Sequence, residues 1–436
     1  MNIVLLSGGS GKRLWPLSND IRSKQFIKIF KTNRGLESMV QRIYRQIKSV
    51  DTSASITIAT SKAQVSAIHN QLGMDVDISI EPCRRDTFAA IALATAYLHD
   101  AKGVPDSEAM VVCPVDPYVE DDYFRTLTEM YKVAKMGNNS LVLMGIEPTY
   151  PSEKYGYIKP ERDESGRNYY SFKEKPDKET AQQYINEKAL WNGGVFAYQL
   201  RYVLDKAKIL LGTSDYYELF NNYETLKKMS FDYAVVEQET SIEVVQYSGT
   251  WKDLGTWNTL TEAMEEDSVG EAIIDSSENV HVINELDVPI VAMGLKNIVI
   301  SASPEGILVS DKQKSSFIKP IIDSINHSIM FADKSWGAYK VLDIEDNSMT
   351  IKVTLKAGEH MFYHSHDRRD EIWTVIKGRG KTIVDGIEKI INIGDVIIMP
   401  AGCKHTVIAE TELQMIEVQL GIDISVKDKH KYEMVF

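Results

Sequence analysis

Cysteine is scarce in this chain: there are three in 436 residues, Cys83, Cys113 and Cys403. Three thiols build no disulfide framework and fit a reducing compartment, so the fold has to rest on buried apolar cores. Cys83 and Cys113 lie beside motif residues, yet small packing groups describe them better than nucleophiles. Long apolar runs are missing too. No stretch would span a bilayer, and the opening residues read as a strand and not as a leader, so a cytoplasmic location without a membrane partner is expected. Positive charge is in deficit, with 49 Lys and Arg against 62 Asp and Glu and a net charge of −13. Nucleic-acid backbones call for basic faces, which argues against such a partner. Phosphorylated ligands must then be met by a few local cations. At this length more than one hydrophobic core is expected, hence two or more domains.

Asn2 to Leu6 reads as a buried strand that empties into Ser7-Gly8-Gly9-Ser10-Gly11-Lys12-Arg13-Leu14-Trp15-Pro16, with Lys24-Gln25-Phe26 following. A Gly-rich turn after a strand leaves backbone N–H groups at a sheet's carboxyl edge, where a polyphosphate can be cradled. Glycines let the backbone approach phosphates without a Cβ, and Arg13 and Lys24 bring mobile positive charge. The spacing has neither the Gly-Lys-Ser/Thr of a P-loop nor the third glycine of the dinucleotide fingerprint. Up to about residue 265, short apolar strands alternate with helical stretches, the pattern of an α/β sheet covered on both faces. Strands are predicted at Asn2–Leu6, Ser55–Ala59, Met110–Cys113, Ser140–Met144, Gly194–Tyr198 and Ile242–Gln246, and helices at Leu36–Val50, Thr87–Ala101 and Tyr118–Met136. From about 268 to 325, short β runs alternate with turns and show no clear sequence repeat. From about 330 onward, closely spaced strands predict a small β-barrel.

The Gly8 to Ser18 segment with Lys24-Gln25-Phe26 resembles the signature of the sugar-phosphate nucleotidylyltransferases, and within them most closely that of the mannose-1-phosphate guanylyltransferases. The resemblance implies an α/β, Rossmann-like nucleotidyltransferase domain of the GT-A type over residues 1–267. It further implies a β-helix-like connector over 268–328 and a cupin over 329–436. Leu6, Gly8, Gly9, Ser10, Gly11 and Lys12 would border the nucleotide. Glu81-Pro82-Cys83-Arg84-Arg85-Asp86-Thr87 is similar to the family segment that lies against the nucleobase, with Arg84-Arg85-Asp86-Thr87 where Gly-Arg-Asn-Thr is usual. Glu81 or Asp86 would read a purine, with Arg85 and Thr87 beside them, although Asp86 and Thr87 also suit plain helix capping. Asp116, where the family's Asp-His pair reads Asp-Pro, and Asp253 would hold Mg²⁺ through hard oxygen ligands. Gly156 and Tyr157, Glu174 and Lys175, Asn192 and Asp232 resemble sugar-phosphate contacts. Arg13, Lys24, Asp116 and Asp253 form the expected catalytic set, with GTP and a sugar-1-phosphate as partners. Another sugar phosphate or NTP, and a non-catalytic sugar-nucleotide sensor, stand as alternatives.

His364-Ser365-His366, Glu371 and Gly378 match the first cupin motif, and Gly394, Pro400, Gly402 and His405 the second. Alternate strand residues share a face, so His364 and His366 look into one interior. Together with Glu371 and His405 they suit Zn²⁺ or another divalent transition metal. The barrel resembles the type II phosphomannose isomerases and keeps Ser335-Trp336-Gly337, Arg369, Trp373 and the run from Ile416 to Gln419. It departs at His364, where Gln is common, and at Ile372, where a His follows the ligand Glu. That second departure is expected to remove a titratable group beside the metal, so an isomerase and a metal-bearing structural or regulatory barrel stand as alternatives. A third alternative makes the barrel the main actor. Cupins pair through their strands, which leaves room for a homodimer.

Overall fold

Apolar runs bounded by turn residues become the expected strands, most of them longer by a residue or more. The computed structural model describes all residues except 10, 20, 34, 163–167, 326–328, 423, 426–427 and 434–436. Two compact units emerge, Met1–Gly9, Lys24–Val65 and Asp75–Glu265 in one, and Ser10–Ser23, Ser66–Met74 and Glu266–Phe436 in the other.

The first unit is built on a nine-stranded mixed sheet. Asn2–Ser7 lies inside it, parallel to Ser55–Ser61 on one side and to Ala109–Pro114 on the other. Leu190–Gln199 then runs antiparallel to Ala109–Pro114. Because Asn2–Ser7 and Ala109–Pro114 are parallel neighbours, Gly8-Gly9 and Asp116 leave the sheet at the same carboxyl edge, where open α/β sheets take their ligands. The alanine-rich helix Asp86–Ala96 is buried from Phe88 to Ala96 and packs in one core with Phe196, Tyr198 and Phe231.

Three helix expectations shift for local reasons. Leu36 to Ser38 pairs with Lys28–Thr32 as a hairpin, so the helix starts at Met39 behind a capping box of Ser38 and Gln41. The next predicted helix is α-helical only to Ala96 and closes as a π-helical turn at Tyr97–Ala101. Pro117–Val119 is a short strand paired with Trp251–Asp253, and the helix behind it starts at Asp121 and stops at Gly137, which takes a φ of +71°.

In the second unit the connector coils in parallel. Ala272 pairs with Ile290, Glu278 with Lys296 and His281 with Val299, one coil for each 18 residues. The repeat is therefore present in the backbone although the sequence does not spell it. One of its few traces is Asn279 and Asn297, both left-handed and joined side chain to side chain at 2.9 Å. The barrel is a six-stranded sheet facing a five-stranded one, closed around Trp373, Val375, Met399, Leu413 and Met415.

Gly378 marks the turn after the first cupin motif with a φ of +82°, and a Cβ there would overlap the Glu412 carbonyl oxygen. Gly378→Ala should cost about 2–4 kcal/mol. Urea unfolding followed by circular dichroism would show a lower midpoint for the variant; an unchanged midpoint would mean that the turn relaxes freely.

Candidate functional site

A buried polar network fixes the end of the first strand. Gln25 Nε2 donates to Ser7 O at 3.3 Å and to Ser7 Oγ at 3.1 Å. Thr60 Oγ1 donates to Ser7 O at 3.1 Å, and Gln64 Nε2 to Gly9 O at 3.2 Å. Carbonyls at this corner are thereby satisfied from behind. A Cβ at Gly9 would meet nothing within 4 Å and one at Gly8 only Glu81 Oε1 at 3.7 Å, so these glycines keep space open and are not there to relieve strain. Gln25 stood in the signature without a role; Thr60 and Gln64 carry no motif and could not be found from the sequence.

The ladder between Pro117–Val119 and Trp251–Asp253 brings Asp116 and Asp253 together. Lys24 Nζ lies 2.7 Å from Asp116 Oδ2 and 3.4 Å from Asp253 Oδ1. Burial works against the Lys24 ammonium, but the two carboxylates outweigh it and hold its pKa above the ordinary lysine value. Asp116 and Asp253 remain 39% and 41% exposed, so both can reach an incoming group. Two exposed carboxylates within reach of one cation are a donor set that fits Mg²⁺.

Glu81 is buried and accepts from Tyr223 Oη at 3.0 Å, and burial raises its pKa. Arg85 Nε donates to Tyr223 O at 3.2 Å. Asp86 is exposed and held at a φ of +68°, its carboxylate accepting from Thr87 N at 2.8 Å. Thr87 Oγ1 accepts from Phe231 N at 2.8 Å, which fastens the short helix carrying Asp232. Leu6 is half-buried against the core.

Asn192 Nδ2 donates to Asp232 Oδ1 at 2.7 Å, while its Oδ1 accepts from Gly194 N at 3.2 Å across a bulge in which Gly194 takes a φ of +68°. Lys175 pairs with Glu174, which is buried. Burial, and then the Glu174 charge, push Asp232 up to about 6. The space over Gly156 belongs to Phe172 and to Glu174, whose Oε2 would lie 2.6 Å from a Cβ there. Tyr157 is fully buried, its hydroxyl accepting from Ser152 N at 2.9 Å and donating to Ser152 O at 3.1 Å. Tyr155, Trp191 and Trp251 form an aromatic wall with centroids 5.0–6.4 Å apart. Among the described residues the indole N–H groups of Trp191 and Trp251 have no partner.

Gly11, Lys12 and Arg13 belong to the second unit. Gly11 is left-handed at a φ of +64° and opens a 3-10 turn; Lys12 pairs with Asp323 at 3.1 Å, and Arg13 is exposed. Ser10 lies outside the described residues.

In the barrel, His364, His366, Glu371 and His405 converge, with ligand atoms all within 4.8 Å of one another. His364 Nδ1 meets Phe362 O at 2.6 Å, His405 Nδ1 meets Cys403 O at 3.2 Å, and His366 Nδ1 meets Asp428 O. A carbonyl only accepts, so each Nδ1 carries a proton and each Nε2 is the nitrogen turned toward the cluster, the arrangement that a metal ligand needs. His405 Nε2 is buried without a hydrogen-bond partner among the described residues, although Glu371 Oε2 is 3.2 Å away. Burial pushes His364 down to about 2, which keeps it neutral. For Glu371, burial is outweighed by His366 and His405, and its pKa falls well below the carboxylate range. This donor set fits a divalent transition metal. Arg369 Nη2 lies 3.0 Å from His366 Nε2, so a bound metal must displace that contact.

Ile372 overturns an expectation. It alternates with the buried Glu371 and Trp373 and pairs with Ile398 and Val418, so it faces away from the ligands. Its lack of a titratable group takes nothing from the metal's surroundings. Titratable groups come from elsewhere: burial, and then the charge of Glu371, push Glu417 up to about 8, and burial pulls Lys429 down to about 8.

Comparison with known proteins places these features. A family model described as nucleotidyl transferase matches residues 2–269, and one described as cupin domain matches 351–419. The chain is 27% identical to a mannose-1-phosphate guanylyltransferase of Salmonella montevideo over 98% of both chains. It is 28% identical to the mannose-1-phosphate guanylyltransferase of Escherichia coli K12, over 96% of this chain and 95% of that one. It is 28% identical to the xanthan biosynthesis protein XanB of Xanthomonas campestris pv. campestris B100, over 99% and 97%. A crystal structure described as mannose-1-phosphate geranyltransferase from Thermus thermophilus aligns with a TM-score of 0.62 at 26% identity, covering 74% of this chain and 98% of that one. No described helix is long and apolar enough to cross a membrane.

The raised Asp232 pKa has a consequence for stability. A folded-state pKa of about 6, above the ordinary 3.8, means that the folded chain holds this proton more tightly than the unfolded one. The contribution is complete at low pH and is lost as pH rises through about 6. Asp232→Asn should therefore gain about 1–2 kcal/mol over wild type at pH 8 and nothing near pH 4. Paired urea titrations at the two pH values test this, and a pH-independent difference would remove the assigned shift.

Proposed function

The chain belongs to the nucleotidyl transferase family and carries a cupin domain, and from that premise we propose that it joins GTP to mannose-1-phosphate, giving GDP-mannose and pyrophosphate. The observation that carries this reading is the convergence of Lys24, Asp116 and Asp253 at the edge where the Gly8-Gly9 turn leaves the sheet. A phosphate oxygen of the sugar phosphate bonds to the α-phosphorus while the α–β bridging bond breaks and its electrons leave with pyrophosphate. The nucleophile is already an anion, so no general base is required, and positioning with charge neutralisation is the whole demand. Mg²⁺ held by Asp116 and Asp253 would supply charge neutralisation at the phosphates. Lys24 turns from the carboxylates to the triphosphate, Arg13 and Lys12 add charge from the signature segment, and the Gly8 and Gly9 amides bind phosphate oxygens. Glu81 and Asp86 are acceptors for guanine N–H groups. Asn192, Asp232 and Glu174 orient sugar hydroxyls, and Lys175 holds the sugar's phosphate. The proposed division is 1–267 for transfer, 268–328 for the connector and 329–436 for the barrel.

For the barrel, three Nε2 lone pairs and one carboxylate support a Zn²⁺ or related site. Glu417 and Lys429, both titrating near neutrality beside it, favour a second activity that interconverts fructose-6-phosphate and mannose-6-phosphate by proton transfer.

Mg²⁺-dependent pyrophosphate release should be greatest with GTP and mannose-1-phosphate across a panel of four NTPs and several sugar-1-phosphates. Lys24→Ala should lower kcat/KM roughly 10²–10³-fold. No release with any pair would sink the transfer reading. In the barrel, metal analysis should find about one ion per chain in wild type and a small fraction of that in His405→Ala. The isomerase reading fails if metal-loaded wild type leaves fructose-6-phosphate unchanged.

A further inference from the structure

The signature segment has little regular structure of its own. Beyond one 3-10 turn at Lys12–Leu14, its path is set by side chains of the connector and by the entry to the barrel, all within the second unit. Ser303 Oγ donates to Pro16 O at 2.6 Å. The Trp15 ring lies against Gly306, where a Cβ would come within 2.6 Å of it. Arg22 forks onto Glu285 at 2.7 and 2.8 Å, and its guanidinium lies 5.0 Å from the centroid of the Phe331 ring.

Glu305 is the junction. Its Oε1 accepts from Asn19 Nδ2 at 2.8 Å and from Met330 N at 2.9 Å. Asn19 Nδ2 also donates to Phe331 O at 3.1 Å, and Asn19 Oδ1 accepts from Ile21 N at 2.9 Å and Arg22 N at 2.6 Å. Asn19, Arg22 and Glu305 are each at most 8% exposed. Buried polar groups of this kind are costly to leave half-paired, so the network specifies one conformation of the segment.

We infer that Glu305, acting through Asn19 and supported by the Arg22–Glu285 pair, is a positioning residue for the nucleotide triphosphate. Amide donors and a mobile arginine act on phosphate only when they are held within a fraction of an ångström, and a misplacement of about 1 Å can cost ~10²-fold. The carboxylate of Glu305 supplies that constraint for Asn19 and, through it, for Ile21 and Arg22 of the signature segment. The inference rests on the transfer reading.

The test is steady-state pyrophosphate release with GTP and mannose-1-phosphate varied separately, alongside thermal midpoints. Glu305→Ala should raise the KM for GTP about tenfold and lower kcat, with the KM for mannose-1-phosphate within about twofold. Glu305→Gln keeps an oxygen for Asn19 and Met330 and should stay within about threefold of wild type. Should Glu305→Ala fail to fold, Asn19→Asp carries the test, because it retains the acceptor for Ile21 and Arg22 but sets a carboxylate against Glu305. It should show the same selective rise, and Asn19→Asp combined with Glu305→Gln should recover most of it. An equal rise in both KM values, or a lower midpoint with unchanged kinetics, overturns the inference while leaving transfer intact. Silence of wild type itself instead removes the transfer reading on which the inference stands.

Discussion

Lys24 ties together carboxylates that lie far apart in the sequence and that a short backbone ladder sets side by side. Its ammonium sits between Asp116 and Asp253, the latter 229 residues away in sequence. In a protein of net charge −13, two carboxylates at one sheet edge would repel each other unless a cation stood there. The same electrostatics ready the place for substrate. In the proposed reaction Asp116 and Asp253 would hold Mg²⁺, which would supply charge neutralisation, and Lys24 would be left to the phosphates. Three features of the fold set up this edge: the short Pro117–Val119 ladder beside Asp253, the parallel strands that bring Gly8 and Asp116 alongside, and the network that satisfies Ser7 and Gly9 from behind.

The barrel reaches readiness by the opposite route. Its site is buried, and backbone carbonyls of Phe362, Cys403 and Asp428 hold the Nδ1 atoms of the three histidines. Lone pairs without partners, such as His405 Nε2, are tolerated in a buried site when a ligand is to satisfy them. One unit thus presents exposed charge at a sheet edge, and the other a buried cluster of nitrogen and oxygen donors.

How much of this was legible in the sequence depends on the range of the interaction. The signature, the strand-end aspartates and the alternate histidines were readable because each is a local pattern with one geometric meaning. The hairpin at Gly35–Ser38 was not, since Leu36 to Ser38 fits a helical period as well as a strand and only pairing with Lys28–Thr32 decides. Ile372 misled for a related reason: position in a motif says nothing about facing, whereas strand alternation against Glu371 does. The coil is implied by family resemblance, but its 18-residue repeat is not legible in the letters, because a parallel coil is specified by backbone register and left-handed positions such as Asn279 and Asn297 rather than by repeated side chains. Thr60, Gln64 and Glu305 act through contacts distant in sequence and have no signature at all.

Gly156 and Tyr157 show the converse limit, where a motif match is silent about mechanism. A glycine in a sugar-site motif invites the thought of a sugar over its Cα, yet here Phe172 and Glu174 fill that space. The Glu174 carboxylate lies close only because no Cβ intervenes. Burial first and the Glu174 charge second raise the Asp232 pKa, and Asn192 fixes where that carboxyl points. The geometry here is carried by a chain of packed and hydrogen-bonded groups, so the same motif letters in another chain need not mean the same function.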